Sequence, residues 1–306
     1  MAIRHEARQR HLCVIGRRCT PRNGRIHPWP APSRSLVLGG LPPDTVMAPP
    51  PPPNDCVDET TLVIPCFNEA ERLPRADITA LVASPRVRLL LVNDGSTDAT
   101  LPILHQLADE HDGIEVINLA TNRGKAEAVR IGMQYATARR SAVVGYCDAD
   151  MATPVDELLR LDDLLGRDPS LEVLLATRVA LLGHQVDRSI VRHYLGRLFA
   201  TASSAVLHIR VYDTQCGAKF FRNSPAFRTA ISEPFNSRWA FDVELLGRLL
   251  AGGRGQPPMT PDSILEVPLK VWSDVAGSKL TPLASLRAGA DLFVIWRALK
   301  KLVREI

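Results

Sequence analysis

An apolar run, Val144-Gly-Tyr-Cys-Asp-Ala-Asp-Met151, ends in two carboxylates one residue apart, Asp148 and Asp150. If residues 141–146 form a buried strand, both acids leave its carboxyl end, the edge at which open α/β sheets bind ligands. Hard divalent cations take oxygen donors, and Mg²⁺ is commonly held by one or two carboxylates together with a substrate's own phosphates. The pair therefore suits a metal meeting a phosphorylated substrate. Two further segments place acids beside turn residues: Val63-Ile-Pro-Cys-Phe-Asn-Glu69 and Leu91-Val-Asn-Asp-Gly-Ser-Thr-Asp98. Acids gathered on one rim repel unless a cation or hydrogen-bond donors join them. For Asp94 and Asp98 the plainer duty is in turns and helix caps.

Asn122-Arg-Gly-Lys-Ala126 opens a helical pattern, so its backbone N–H groups and Lys125 can meet a phosphate. It is not a Walker A loop, since the spaced first glycine and the Ser/Thr after Lys are missing, and no Gly-x-Gly-x-x-Gly follows the first strand. Dinucleotide oxidoreductases are thereby disfavoured.

The elements that must position these residues follow from periodicity. Apolar runs at 61–66, 87–92, 113–119, 141–147 and 171–177 read as buried strands. Helical patterns at 69–83, 98–110, 124–138 and 154–165 lie between them; in the third, Ala126, Val129, Met133 and Ala136 share one face. Strand and helix in alternation imply right-handed crossovers and a mostly parallel sheet flanked by helices. After Arg178 the alternation stops: a long helix over 190–207, a helix over 240–250, a strand over 264–271 and a final amphipathic helix over 283–306. Residues 59–178 read as the nucleotide-binding half of one domain and 179–306 as its acceptor-side half.

Residues 1–58 are Arg-rich and then Pro-rich, ending in the Pro49–Pro53 tract, and are expected to be a disordered leader. Residues 1–46 hold eight Arg against Glu6 and Asp44, more than the whole chain's net charge of +4. The basic charge belongs to that tail and advertises no nucleic-acid-binding face. Six cysteines (Cys13, Cys19, Cys56, Cys66, Cys147, Cys216) form no C-x-x-C pair, which fits reduced thiols in a cytoplasmic protein. The chain is expected to have no membrane span, because its best apolar stretch, 195–209, is interrupted by Arg197 and His208. The last helix interleaves Leu292, Phe293, Ile295, Trp296, Leu299, Leu302 and Val303 with Arg297, Lys300, Lys301 and Arg304. It suits either packing on its own domain or a peripheral contact with the cytoplasmic face of an anionic membrane.

Taken in order, Ile64-Pro-Cys-Phe-Asn-Glu69, Val92-Asn-Asp-Gly-Ser-Thr-Asp98, Asn122-Arg-Gly-Lys125, Asp148-Ala-Asp150, Asp213-Thr-Gln-Cys-Gly-Ala-Lys219, Arg238-Trp-Ala-Phe-Asp-Val-Glu244 and Gly277-Ser-Lys279 resemble the inverting GT-A enzymes of glycosyltransferase family 2. More narrowly, they resemble its dolichyl-phosphate β-glucosyltransferase and polyprenyl-phosphate glycosyltransferase group. The resemblance covers about residues 60 to 300 and implies a GT-A fold. It also implies a nucleotide-sugar donor, most simply UDP-glucose, with a polyprenyl phosphate as acceptor. Pro65, Glu69 and Asp94 would then hold the nucleoside, with Lys125 near the nucleotide. Asp148 and Asp150 would bind Mg²⁺ or Mn²⁺ against the diphosphate.

A hydroxyl acceptor needs a base within hydrogen-bond reach, and Asp242 is the candidate; otherwise it is a helix N-terminal acid or a partner of Arg238. An already ionised phosphate acceptor hardly needs one. Arg178 and Arg192 flank the place of the family's acceptor loops, as phosphate ligands or as ordinary surface residues. Gln215, Lys219, Ser278 and Lys279 would shape the acceptor side, whereas Trp239 is expected in the core. Two departures stand out. An Arg/Pro leader occupies the place of the single membrane anchor that precedes the catalytic domain in eukaryotic dolichyl-phosphate glucosyltransferases, and Met151 follows the acid pair. Three rivals remain: the same transfer onto a soluble hydroxyl, a nucleotidyltransferase, and a non-catalytic sugar-nucleotide sensor.

Overall fold

The computed structural model describes residues 35–38, 59–187, 190–253, 255–273 and 282–304, with backbone alone at 35–38, 187, 190–192, 282–288 and 304. In chain order the first half runs β1 (Ser35–Leu38), β2 (Thr60–Cys66), α1 (Arg75–Val82), β3 (Val87–Asp94), α2 (Thr100–Glu110), β4 (Ile114–Leu119), α3 (Lys125–Ala138), β5 (Val143–Cys147), α4 (Val155–Arg167) and β6 (Val173–Thr177). There follow β7 (Gln185–Asp187), α5 (Ile190–Leu207), β8 (Ala218–Arg222), α6 (Pro225–Ala230), α7 (Phe241–Ala251), β9 (Ile264–Pro268), β10 (Val271–Ser273) and α8 (Pro282–Arg304).

The main sheet has the order β1-β4-β3-β2-β5-β8-β6-β9, and β10 pairs with β7 in a separate parallel ribbon. The chain winds outward from β2 through β3 to β4, then crosses back to place β5 on the other flank of β2. Order reverses between β2 and β5, so a crevice forms beyond their carboxyl ends. β2 pairs with β5 only as far as Val63, and Pro65, which cannot donate to a ladder, falls beyond the last pair. β8 runs antiparallel between β5 and β6, with Tyr146 opposite Lys219 and Cys147 opposite Ala218.

Alternation along the central strands builds two cores, one on each face of the sheet. Leu62, Ile64, Leu89, Leu91 and Phe220 pack beneath α1, α2 and α4. Val63, Leu90, Val92, Val144, Tyr146 and Phe221 pack against α3, α6, α7 and α8. Ala126, Val129, Met133 and Ala136 are buried on α3 as their spacing requires.

The structure corrects several sequence boundaries. Residues 35–38 of the expected leader form the edge strand β1, parallel to β4: the short apolar run Ser-Leu-Val-Leu supplies a ladder to an otherwise open edge. The rest of residues 1–58 lies outside the described residues. The helix expected from 69 begins after Pro74, because proline opens a helix more readily than it continues one. The strand expected over 264–271 is two, since β10 leaves the main sheet to pair with β7. β8, read in sequence only as part of a motif, is a strand. No helix among the described residues is long and apolar enough to cross a membrane.

Candidate active site

Strand β5 is buried along its whole length and delivers Asp148 and Asp150 to the crevice. The turn that follows is sharp. Met151 sits at φ 50°, a region L-residues rarely adopt, with its N–H donating to the Asp148 carbonyl at 3.1 Å. Its side chain is buried in the core against α4's face, which is why an apolar residue is accepted after the acid pair. Asp150 Oδ1 accepts the Ala152 N–H at 3.1 Å. Burial pushes the Asp150 carboxyl above its ordinary value, and the charge of Asp148 adds to the rise. Asp148 is closely supported: its N–H donates to the Gly217 carbonyl at 3.1 Å, and its carboxylate contacts the Lys125 ammonium.

The loops after β2 and β3 are clasped together. Asn68 Oδ1 accepts the Thr97 N–H at 2.9 Å, and its own N–H donates to Ser96 Oγ at 3.1 Å. Asp98 does turn duty, accepting the Thr100 N–H at 2.9 Å and the Ala70 N–H at 3.2 Å. Glu69 accepts from Arg72 at 2.7 Å through Oε1, while its Oε2 is buried with no hydrogen-bond partner among the described residues. Burial pushes this carboxyl up, against the pull of Arg72, and the charges of Asp150 and Asp98 push the same way. These acids therefore sense one another across the rim.

Asp94 is buried, and its two oxygens accept the N–H groups of Arg123 at 2.7 Å and Gly124 at 2.8 Å. Its clear structural task is to fix the 122–125 loop. Gly95 (φ 65°) permits this approach, because a Cβ there would sit 2.4 Å from the Asn122 nitrogen. Arg238 closes the loop from the far side, donating to the Arg123 carbonyl at 2.9 Å.

Asp242 opens α7 facing inward. Its Oδ1 receives the Tyr146 hydroxyl and stands 2.9 Å from Lys219 Nζ; Arg238, considered as its partner from sequence, is engaged elsewhere. Lys219 also donates to the Tyr146 hydroxyl at 2.9 Å and to the Cys216 carbonyl at 2.5 Å. Burial drives the Asp242 carboxyl up to about 8 and the Lys219 amine down to about 8. The charge of Lys125 opposes the rise of Asp242, and the charges of Asp213 and Asp148 oppose the fall of Lys219. Glu244 points elsewhere, as expected, accepting from Asn236 and pairing with Arg248 at 2.7 Å.

On the expected acceptor side, Arg178 is committed within the protein. Its guanidinium forks onto Asp213, Nε to Oδ2 at 2.6 Å and Nη2 to Oδ1 at 2.8 Å, and lies over the Trp272 ring. Glu266 braces that segment by accepting the N–H groups of Tyr212 and Asp213. Gln215 is half-buried, its Nε2 without a hydrogen-bond partner among the described residues. Lys219, expected on the acceptor side, is buried at 0% exposure. Trp239, expected inside, is 40% exposed and meets Phe199 of α5 edge-on. The Arg192 side chain, Ser278 and Lys279 lie outside the described residues. Sequence reading quoted Tyr146 and Asp213 within motifs without giving either a role, and missed Glu266. A tyrosine in a fully apolar strand and a lysine within Ala-Lys-Phe-Phe were the available signals, since each buried polar end needs a partner.

The family model described as Glycosyl transferase family 2 matches residues 61–226. A dolichyl-phosphate beta-glucosyltransferase of Drosophila melanogaster is 33% identical over 264 residues, covering 78% of this chain and 74% of that one. Its Homo sapiens counterpart is 32% identical over 256 residues, covering 78% and 74%. A polyprenol monophosphomannose synthase of Mycolicibacterium smegmatis is 26% identical over 211 residues, covering 69% and 76%. Among solved structures, a glucosyl-3-phosphoglycerate synthase from Mycobacterium tuberculosis in complex with Mn²⁺, UDP and glucosyl-3-phosphoglycerate superposes with a TM-score of 0.56 at 18% identity, covering 79% of this chain and 80% of that one. That likeness is one of fold, the α/β GT-A arrangement.

Proposed function

The chain belongs to glycosyl transferase family 2, and from that premise we propose that it moves glucose from UDP-glucose onto a polyprenyl phosphate of the dolichyl type, with inversion at the sugar. The glycosyltransferase activity follows from family membership; donor and acceptor are our reading, guided by the relatives' names. One observation carries the choice of acceptor. Asp242 is 5% exposed and its Oδ1 is occupied by Tyr146 and Lys219, a poor posture for taking a proton from an incoming hydroxyl. A phosphate monoester arrives ionised and needs no such base.

The residues can be assigned in that light. Asp148 and Asp150 would hold Mg²⁺ or Mn²⁺; the donor set fits, being two carboxylates of which Asp150 bears the repulsion of Asp148 that a cation would relieve, with phosphate oxygens to complete the shell. Among the described residues no group of three or more such ligands exists, so the substrate's diphosphate is needed for the rest. The bound ion would supply charge neutralisation for the departing nucleotide. Lys125, at the start of α3, adds a second positive charge beside Asp148. Pro65, Glu69 and the loop fixed by Asp94 would line the nucleoside side.

A peripheral membrane contact belongs to the same reading. Leu198 (69% exposed) on α5 and Phe293 (58% exposed) on α8 are apolar side chains in water, and α8 also presents Arg297 and Lys300. Apolar and basic side chains together suit an anionic lipid surface.

The test uses purified protein, Mg²⁺ or Mn²⁺, labelled UDP-glucose and a polyprenyl phosphate in detergent, with Asp150→Ala as control. Metal-dependent transfer of label to the organic phase, abolished in the variant, is the expected result. Label that stays in water while UDP-glucose still binds with metal would overturn the lipid acceptor and turn the search to soluble ones.

A further inference from the structure

Lys219 is a full-length cationic side chain with no exposed surface, set on β8 directly opposite Tyr146 of β5. Burying a charge is costly unless hydrogen bonds and a counter-ion replace water. Here they do, and the three groups that bind Nζ come from different parts of the site. The Tyr146 hydroxyl (2.9 Å) lies two residues before Asp148. The Cys216 carbonyl (2.5 Å) immediately precedes Gly217, whose own carbonyl holds the Asp148 N–H at 3.1 Å and whose Cα abuts the Asp148 carboxylate. The Asp242 carboxylate (2.9 Å) fixes the start of α7, just after the Arg238-Trp239 segment that closes the 122–125 loop. Lys125, which contacts Asp148, lies on the same Tyr146 ring at 6.0 Å from its centroid, against 5.3 Å for Lys219.

We propose that Lys219 is a positioning residue for glycosyl transfer: its ammonium ties the turn beneath Asp148, the Tyr146 hydroxyl and the Asp242 carboxylate into one buried support. In this role Asp242 acts as an anchor of α7. The assignment rests on the glucosyltransferase reading above, because positioning is meaningful only for a site that uses Asp148.

Two variants separate positioning from mere charge balance. Asp242→Asn keeps an acceptor oxygen for both Tyr146 and Lys219. The double variant Lys219→Met/Asp242→Asn removes both charges, so no unpaired charge is buried, but breaks every bond from Nζ. Each is compared with wild type for thermal melting, for Mn²⁺-dependent binding of UDP-glucose by calorimetry, and for kcat of transfer to polyprenyl phosphate. The expected result is native-like melting in the double variant and a lowered melting temperature in the single one, whose buried ammonium has lost its counter-ion; kcat is read below either transition. The single variant loses less than tenfold in kcat, and the double loses at least thirtyfold with a raised Mn²⁺ requirement. A double variant matching the single one in kcat and Mn²⁺ requirement overturns the proposal, as does a single variant losing a thousandfold, which would restore Asp242 as a base. A wild type that binds no UDP-glucose with Mn²⁺ overturns the glucosyltransferase reading, and this proposal with it.

Discussion

Gly217→Ala is a sharp probe of how Asp148 is held. A Cβ on Gly217 would lie 2.1 Å from Oδ2, 2.4 Å from Cγ and 2.8 Å from Oδ1 of Asp148. Such contacts lie far inside van der Waals separation, so the carboxylate must retreat by roughly 1 Å. A misplacement of that size in a reacting site costs on the order of 100-fold in rate, or about 2.7 kcal/mol of transition-state stabilisation. Stability should change little, because the clash is with a side-chain end. Gly217 is also outside the left-handed region. Alanine there restricts the unfolded chain, which favours the fold by about 0.4–1 kcal/mol. The assay is kcat for labelled glucose transfer against Mn²⁺ concentration, with melting temperature alongside. Gly289→Ala on α8, where an added Cβ meets nothing within 4 Å, serves as the control. It should stabilise by up to about 1 kcal/mol without altering turnover. A Gly217→Ala enzyme within threefold of wild type in kcat and Mn²⁺ requirement would refute the view that this turn sets the Asp148 carboxylate.

Arg178→Met should destabilise the fold by about 3–5 kcal/mol in urea titrations, since it leaves Asp213 charged and buried; Arg178→Met/Asp213→Asn should recover most of the loss. For Glu157, burial raises the carboxyl's affinity for a proton, but the Arg160 fork and the Lys270 N–H outweigh it and hold the group below its ordinary 4.5. The unfolded state therefore binds more protons in that window, and stability falls as pH drops from about 4.5 through the lower folded value. Denaturation followed from about pH 6 to pH 3 should show less of this acid-induced loss in Glu157→Gln. Leu198→Ser/Phe293→Ser should weaken co-sedimentation with phosphatidylserine vesicles severalfold while leaving the melting temperature within a few degrees, as both side chains are exposed.

The alternation of strand and helix to Thr177 and the placement of Asp148, Asp150, Glu69 and Asp94 at strand ends were readable because both follow from local periodicity and sheet topology. The boundary at Pro74 slipped although the proline itself was a local signal, whereas at the break between β9 and β10 and at β1 tertiary pairing overrode pattern. What the sequence could not show was direction and partnership. Arg178 reads as a free guanidinium until Asp213, far along the chain, is folded onto it. Lys219 reads as a polar residue of a site until the antiparallel register of β8 sets it opposite Tyr146 and turns it inward. Asp94 reads as a ligand of the nucleoside, yet both its oxygens already accept backbone N–H groups.

The two cores make a point about dissection of the chain. The segment matched by the family model stops at residue 226, within α6. Yet Phe241, Val243, Leu246 and Ile295, from α7 and α8, complete the same core as Val63, Val92 and Val144 of the central strands. A fragment cut at the end of the matched segment would carry the acid pair while baring the part of that apolar face that α7 and α8 cover. The matched segment and the helices that follow it thus share one hydrophobic core. Swapping the later helices between relatives would mean transplanting part of a hydrophobic core with them.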